Sequence, residues 1–340
     1  MFTVSAMTRR ALNRATLARQ GLLERRRLSP ARLAEQLCGL QAQEVLPPLV
    51  GLWTRLEGVE RARLEALLRE GELVRASLMR GTLHLVSAAD YKRVRPAMAP
   101  VLESIVAGHA YTKDLDVDAV EGAARKILGT CAMTFAQLRP ELAKAFPDAN
   151  ERGLGYATKM GLPLTIDPDG GYRIADVGPA ISRPKLVERY LGAFGPATPA
   201  DMQTWSGLRG LAADFAKARV IQEGKLFDLE DAPRPDPNTP APVRFVPAFD
   251  NLVLAHADRS RVIDAEHQGK VTTKNLRVNP TFLVDGFVAG TWRAEVKGKR
   301  ATLALEPFGR LTKKTRSALE AEGDALLRFL APEASALAVT

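Results

Sequence analysis

Polar and apolar positions follow two rhythms along this chain. Over residues 8–22, Ala11, Ala15, Ala18 and Leu22 recur at helical spacing with Leu12 beside the stripe, which predicts an amphipathic helix. Ser29-Pro30 offers a cap and a first-turn proline for a second helix, expected to end near Leu40. PPLVGLWTRLEG and ERARLEALLREG predict two more, with Gly71 closing the latter. ELVRASLMRGTLHLV is apolar and partly β-branched around Arg80-Gly81, the pattern of a hairpin or wing. Ser87-Ala88-Ala89-Asp90 then has the form of a helix start.

The same order recurs. VDAVEGAARKILG, TFAQLRPELAKAF (capped by Thr134) and NERGLGYATKMG predict helices. LTIDPDGGYRIA predicts a hairpin turning at Asp167-Pro168-Asp169-Gly170-Gly171. Three helices followed by a two-stranded wing is the winged-helix order. KLVERYLGAFG, TPADMQTWSGL (capped by Thr198), LRGLAADFAKARVI and the strand KLFDLE predict a third copy. The copies share architecture without an evident sequence period. A Pro-rich linker at 231–242 precedes a β-rich stretch containing VRFVPAFDNLVLAH and PTFLVDGFVAGTWRAEVKGKRATLALEPF, with Asp285-Gly286 as a tight turn. KTRSALEAEGDALLRFL predicts a closing amphipathic helix. The fold class expected is α+β: winged-helix regions at 1–100, 101–180 and 181–235, then a β-rich region at 243–340.

With 340 residues, 46% hydrophobic and 26% charged, the chain has the composition of a globular protein of two or three domains. Its net charge of +9 admits two readings: arginine standing in for lysine in a GC-rich genome, or a polyanionic partner such as nucleic acid. Cys38 and Cys131 lie far apart and lack a CxxC partner, which excludes a disulfide scaffold and a cysteine-rich zinc site. Both are expected as buried small apolar residues in a reducing compartment. MFTVSAMTRRALNRATLARQ lacks the apolar core and cleavage site of a signal peptide, and no apolar run reaches membrane-spanning length. The expected location is cytoplasmic.

Gln41-Ala42-Gln43, just before Pro47-Pro48, is the most informative stretch. Residues two apart point different ways on a helix but the same way on extended backbone. The proline pair argues that the preceding helix has ended. Two carboxamides side by side cannot serve as strong bases, yet they can hold and polarise a water.

Other constellations carry less. His84, His109, His256 and His267 have no metal-helix spacing, so no metal is expected, and no phosphate-binding glycine motif points to a nucleotide cofactor. No cofactor is expected at all. Arg80-Gly81-Thr82-Leu83-His84 reads either as a tight turn with His84 packed on a strand or as an Arg and a His offered to phosphate or base, with Arg75 adding charge. Asp250-Asn251 reads first as a turn. Asn251, and His256 with Asp258, Arg259 and Arg261, are the alternative as a polyanion groove. Trp292 reads as core and Arg293 as a phosphate contact. The first helix carries Arg9, Arg10, Arg14 and Arg19, by default a solvated basic face and, against DNA, a set of phosphate contacts.

Together LNRATLARQGLL, GLQAQE, SLMRGTLHLVSAADY, GPATPADMQTWSGL, PAFDNLVLAHADR and PTFLVDGFVAGTWR resemble the AlkZ/YcaQ-type DNA glycosylases, in the right order and over nearly the whole chain. In that family a Gln-x-Gln motif marks the AlkZ-like branch and Gln-x-Asp the YcaQ branch. The resemblance therefore implies that Gln41 and Gln43 are catalytic. It implies double-stranded DNA with alkylated or crosslinked purines as substrate, a basic concave channel of tandem winged helices, and a monofunctional enzyme, expected as a monomer. The DNA contacts expected are Arg9, Arg10, Arg14, Arg75, Arg80, Gly81, Thr82, His84, Asn251, His256, Arg259 and Arg293. The competing reading is a winged-helix regulator or architectural protein without catalysis, in which the two amides merely bond backbone at a helix end.

Overall fold

Side-chain caps start several helices where the sequence places them. Ser29 and Ser87 accept from the backbone amides of Arg32 and Asp90, and Thr134 and Thr198 form reciprocal capping boxes with Gln137 and Asp201. Each satisfies amides that a helix start leaves without partners. The computed structural model describes residues 7–129, 131–273, 275 and 277–340. The first six residues of the segment read against a targeting signal lie outside these.

The chain opens with α1 (Arg9–Arg19), α2 (Pro30–Gln36), β1 (Leu40–Gln41), α3 (Leu46–Trp53) and α4 (Arg61–Arg69). The hairpin β2 (Leu73–Ser77) and β3 (Leu83–Ser87) follows, then α5 (Ala88–Ala97) and α6 (Ala99–Gly108). Next come α7 (Val117–Leu128), β4 (Met133–Thr134), α8 (Phe135–Ala145), α9 (Glu151–Tyr156), β5 (Leu164–Ile166) and β6 (Gly171–Ile174). A further set comprises α10 (Arg183–Phe194), α11 (Pro199–Ser206), α12 (Ala212–Lys217), β7 (Ile221–Glu223) and β8 (Leu226–Asp228). The chain finishes with β9 (Arg244–Val246), α13 (Asn251–Leu254), α14 (Gln268–Val271), β10 (Thr281–Val284), β11 (Phe287–Lys297), β12 (Arg300–Pro307), α15 (Lys313–Leu330) and β13 (Ala336–Val339).

The first two hairpins do not stand apart. They join edge to edge through Arg75 and Ile166 in one sheet of order β1-β3-β2-β5-β6-β4, which crosses residue 100. The pair β7-β8 forms its own small sheet, and β13-β12-β11-β10-β9 form the C-terminal one. Leu33, Leu49, Leu52 and Trp53 of the N-terminal helices share a core with Phe245, Phe282 and Leu303 of that sheet and Leu326 of α15. A second core packs Leu78 and Met79 of the first hairpin against α5, α6, α10 and α11. Residues 117–164 close a smaller core of their own around Val120, Leu138, Leu142 and Leu154. The fold is mixed α+β, and no described helix is long and apolar enough to cross a membrane.

Several expectations need correction. The helix expected to run to Leu40 stops at Gln36, because Cys38 and Gly39 both take left-handed backbone conformations (φ 55° and 88°) that no helix continues through. VRFVPAFDNLVLAH forms only the short strand β9, and Asp250-Asn251 is the start of α13 rather than a free turn: Asp250 caps it by accepting from Leu252. Cys38 is buried as expected but Cys131 is exposed. The closing helix is followed by β13, which pairs parallel to β12. The Asp285-Gly286 turn is as read, both residues having positive φ (48° and 80°).

Candidate active site and nucleic-acid interface

Gln41 is the last residue of β1 and Gln43 lies in the bend that follows, with the backbone between them held from both sides. Gln41 lies in β1, where it pairs with His84 of β3. Ala42 N–H donates to Leu83 O (2.7 Å), and Ala42 O accepts from Arg75 Nη2 (3.0 Å). Ala42 is buried between the two glutamines. Gln41 keeps 8% of its surface and Gln43 is exposed. From behind, Asn251 Nδ2 donates to Gly39 O, holding the left-handed turn from which β1 leaves. Asn251 is thus a buried support of the segment rather than a surface contact.

Arg80 closes the front. It sits between β2 and β3 with φ 56°, a conformation that costs a non-glycine residue on the order of 1 kcal/mol. Its Nη2 donates to Gln41 Oε1 (2.8 Å) and its Nη1 to the Trp205 carbonyl at the end of α11. Gly81 beside it (φ 69°) can carry no side chain, since a Cβ would lie 2.4 Å from Ile105 Cδ1. Burial, with Arg259 nearby, pulls the Arg80 guanidinium down to about 10, still a cation at neutral pH. Thr82 Oγ1 turns back to Met79 O (3.0 Å).

His84 is fully buried across from Gln41 on the same face of the sheet. Its Nδ1–H donates to Thr82 O (2.9 Å), and Nε2 has no partner among the described residues. Burial first, then the Arg80 charge, push this imidazole down to about 3. His256 is buried too, on Phe194 O (2.9 Å), and burial and Arg261 also lower it, against the pull of Asp201. Both rings are neutral at pH 7, so neither offers a proton to a leaving base. In the unfolded chain they titrate near 6.5, so that state takes up protons first as pH falls. Stability is therefore complete above about pH 6.5 and is lost below it. From pH 7 to pH 5 the loss is about 2 kcal/mol per imidazole. Urea midpoints for wild type and His84→Gln at the two pH values test this: the variant should lose about half as much as wild type, and an equal loss would contradict it.

The basic first helix is not a solvated face. Arg14 is fully buried, bonded to Thr239 O (2.7 Å) and to Asp285, and Arg19 is buried on Asp228 (2.6 Å). Arg14 therefore cannot reach a phosphate in this structure. Arg10 pairs with Asp285 (2.6 Å) and Arg9 with Asp264 (2.7 Å), both half exposed. Arg75, His84, Asn251 and His256 are likewise buried, and Arg261 points inward to Phe194 O and Pro196 O. Arg259 is half-buried against Thr272 Oγ1 (2.9 Å), and Arg293 is exposed. Arg293 lines a cavity of about 420 Å³ with Glu44, Pro47, Arg277 and Trp292, beside the Gln43 segment. Trp292 is core, as read. The far end of the β11–β12 hairpin is the basic feature that went unread: Lys297, Lys299 and Arg300 are exposed on strands extending past the apolar stretch of β11. The KGKR run spanning that turn was the available signal. No group of three or more His, Cys, Asp or Glu suited to a metal occurs among the described residues.

A family model described as DNA glycosylase AlkZ-like matches residues 34–329. The chain is 26% identical over 316 residues to a protein of Streptomyces sahachiroi described as an interstrand DNA cross-link repair glycosylase, covering 81% of this chain and 85% of that one. The solved structure of the Streptomyces sahachiroi DNA glycosylase AlkZ superposes with a TM-score of 0.80, over 99% of this chain and 100% of that chain, at 21% identity. That likeness speaks to the fold.

Proposed function

The chain belongs to the AlkZ-like family of DNA glycosylases, and from that premise we propose that it hydrolyses the N-glycosidic bond of N7-alkylated purines, with Gln41 and Gln43 holding the attacking water. The observation that carries this is the Gln41–Gln43 segment itself: two carboxamides at the end of β1, flanking a buried Ala42 whose backbone is pinned by Leu83 and Arg75.

The chemistry suits such a site. An N7-alkylated guanine is already cationic. As the C1′–N9 bond breaks, its electron pair passes to the purine and neutralises that charge, so no acid is needed. The water oxygen bonds to C1′ and its surplus proton passes to bulk water. What the protein supplies is position and hydrogen bonds around an oxocarbenium-like transition state. The neutral His84 beside Gln41 agrees with a reaction that uses no general acid. Undamaged purines, which need one, stay intact. Among the described residues, none of those placed at the site is a lysine, which fits a monofunctional enzyme that leaves an abasic site.

Crosslink unhooking by the same site follows from the relative named for interstrand DNA cross-link repair. A base tethered to the opposite strand cannot swing fully into a closed pocket, so the duplex is read from an open surface. Arg9, Arg10, Arg259 and Arg293, with Lys297, Lys299 and Arg300 at the β11–β12 tip, are the phosphate contacts this reading assigns. The order of three helices and a hairpin over 117–174 and again over 183–228 supports tandem winged-helix regions.

The test is base release under single-turnover conditions from a duplex carrying one N7-alkylguanine, scored by alkaline strand cleavage against spontaneous depurination. Release above that baseline is expected. Tight duplex binding with no release from monoadduct or crosslinked DNA would instead favour a binding protein.

A further inference from the structure

Arg80, expected from the sequence as a DNA contact, faces the wrong way for one. Both ends of its guanidinium are engaged inside the protein, on Gln41 Oε1 and on the Trp205 carbonyl. The backbone that presents it is locked as well. Arg80 occupies a left-handed conformation and Gly81 is packed against Ile105. A strained residue held this firmly beside a candidate catalytic group calls for a functional account.

A guanidinium carries donors and no acceptor. The Gln41 atom that faces it must therefore be the carbonyl oxygen, which settles which way the amide is turned. Among the described residues nothing accepts from the Gln41 amide nitrogen, and that nitrogen is not a buried unpartnered atom. Gln43, in the bend two residues further on, is exposed and has no such fixing partner among the described residues.

We propose that Arg80 is a positioning residue that fixes the orientation of the Gln41 carboxamide, so that Gln41 meets the reaction with its N–H donors and Gln43 supplies the carbonyl acceptor. This rests on the proposed glycosylase site and divides its labour. The Gln41 N–H holds the oxygen of the water, and the Gln43 Oε1 accepts one of its protons and aims the remaining lone pair at C1′. Without Arg80 the amide is free to rotate by half a turn and present the wrong atom.

A double-mutant cycle tests this, reading single-turnover release from the N7-alkylguanine duplex at saturating enzyme, with DNA affinity measured over a salt series. Arg80→Ala should slow release by about 100-fold, the scale of a mispositioned reacting group. Arg80→Lys, which still donates to Oε1, should recover at least about tenfold of that, within the same positioning logic. Arg80→Ala/Gln41→Ala should be no slower than Gln41→Ala alone, because a residue acting through Gln41 has nothing left to act on. The salt slope of DNA binding should not change, whereas a lost phosphate contact would lower it by about 1. Gln41→Glu serves if Arg80→Ala fails to fold: its carboxylate keeps the Arg80 contact but has no donor, so it should be inactive at an undiminished melting temperature. Independent losses in the cycle, a fall in salt slope, or an active Gln41→Glu would overturn the assignment. Undiminished release by Gln41→Ala would instead sink the parent reading of the site.

Discussion

Gln41→Ala/Gln43→Ala is expected to bring base release down to the rate of spontaneous depurination while duplex affinity stays within about threefold of wild type. Each amide is asked to stabilise charge or place a reactant, and removing one such hydrogen-bonding group costs about 100- to 1000-fold in enzymes that depend on it. The pair acts on one water, so the double variant should fall little below the worse single one. Affinity survives because binding rests on charged groups elsewhere, and neither glutamine carries charge. Folding needs a control. Gln41→Ala leaves the Arg80 Nη2 donor without its 2.8 Å partner in a half-buried place, an effect of about 1–3 kcal/mol. Melting curves must therefore accompany the rates. Activity in the double variant close to wild type would remove Gln41 and Gln43 from the mechanism.

The largest loss of stability should come from Asp250→Ala. Asp250 and Arg55 are 2% and 1% exposed and meet through two hydrogen bonds of 2.7 and 3.0 Å. Arg55 also donates to Gly51 O (2.9 Å) and Gln20 Oε1 (3.3 Å), so its guanidinium ties its own helix end to two distant stretches. Truncating the acid strands a buried cation, an effect of about 3–5 kcal/mol, and also uncaps α13. Urea denaturation reads it directly, and a loss under about 1 kcal/mol would mean that water reaches the pair and relieves the charge. The neighbouring Asn251 holds Gly39, so Asp250→Ala should disturb the Gln41 strand even where the protein still folds.

Local chemistry made much of this architecture legible. Ser29, Ser87, Thr134 and Thr198 cap because a short polar side chain at a helix start has a backbone amide to bond wherever it occurs. Asp285-Gly286 turns because both positions need positive φ. The Gln-x-Gln segment lies outside the preceding helix, as the proline pair suggested, with Gln41 ending β1 and Gln43 in a bend, although that helix ends sooner, at a left-handed Cys38 that no local rule predicts. The arginines were the blind spot. Arg14, Arg19, Arg55 and Arg261 look like surface charge in one dimension. Their partners Asp285, Asp228, Asp250 and Pro196 lie 271, 209, 195 and 65 residues away. The four arginines of α1 therefore overstate the charge that helix can offer DNA. His84 illustrates the same limit: the sequence admits it either packed on a strand or offered to phosphate, and only what covers the strand decides for the packed reading.

The close seating of α1 on the β10–β11 turn has a consequence for how the protein is made. Gly286 leaves no room for a side chain, since a Cβ would lie 2.5–2.7 Å from Leu17, Asn13 and Arg14, and Arg14 finds its carboxylate only at Asp285. During synthesis α1 must wait for a partner 271 residues further on. At about 5–20 residues per second that delay is roughly a quarter of a minute to a minute. Until then a nascent chain carries uncovered arginines on α1. The β10–β11 turn then supplies the carboxylate that pairs with Arg10 and Arg14.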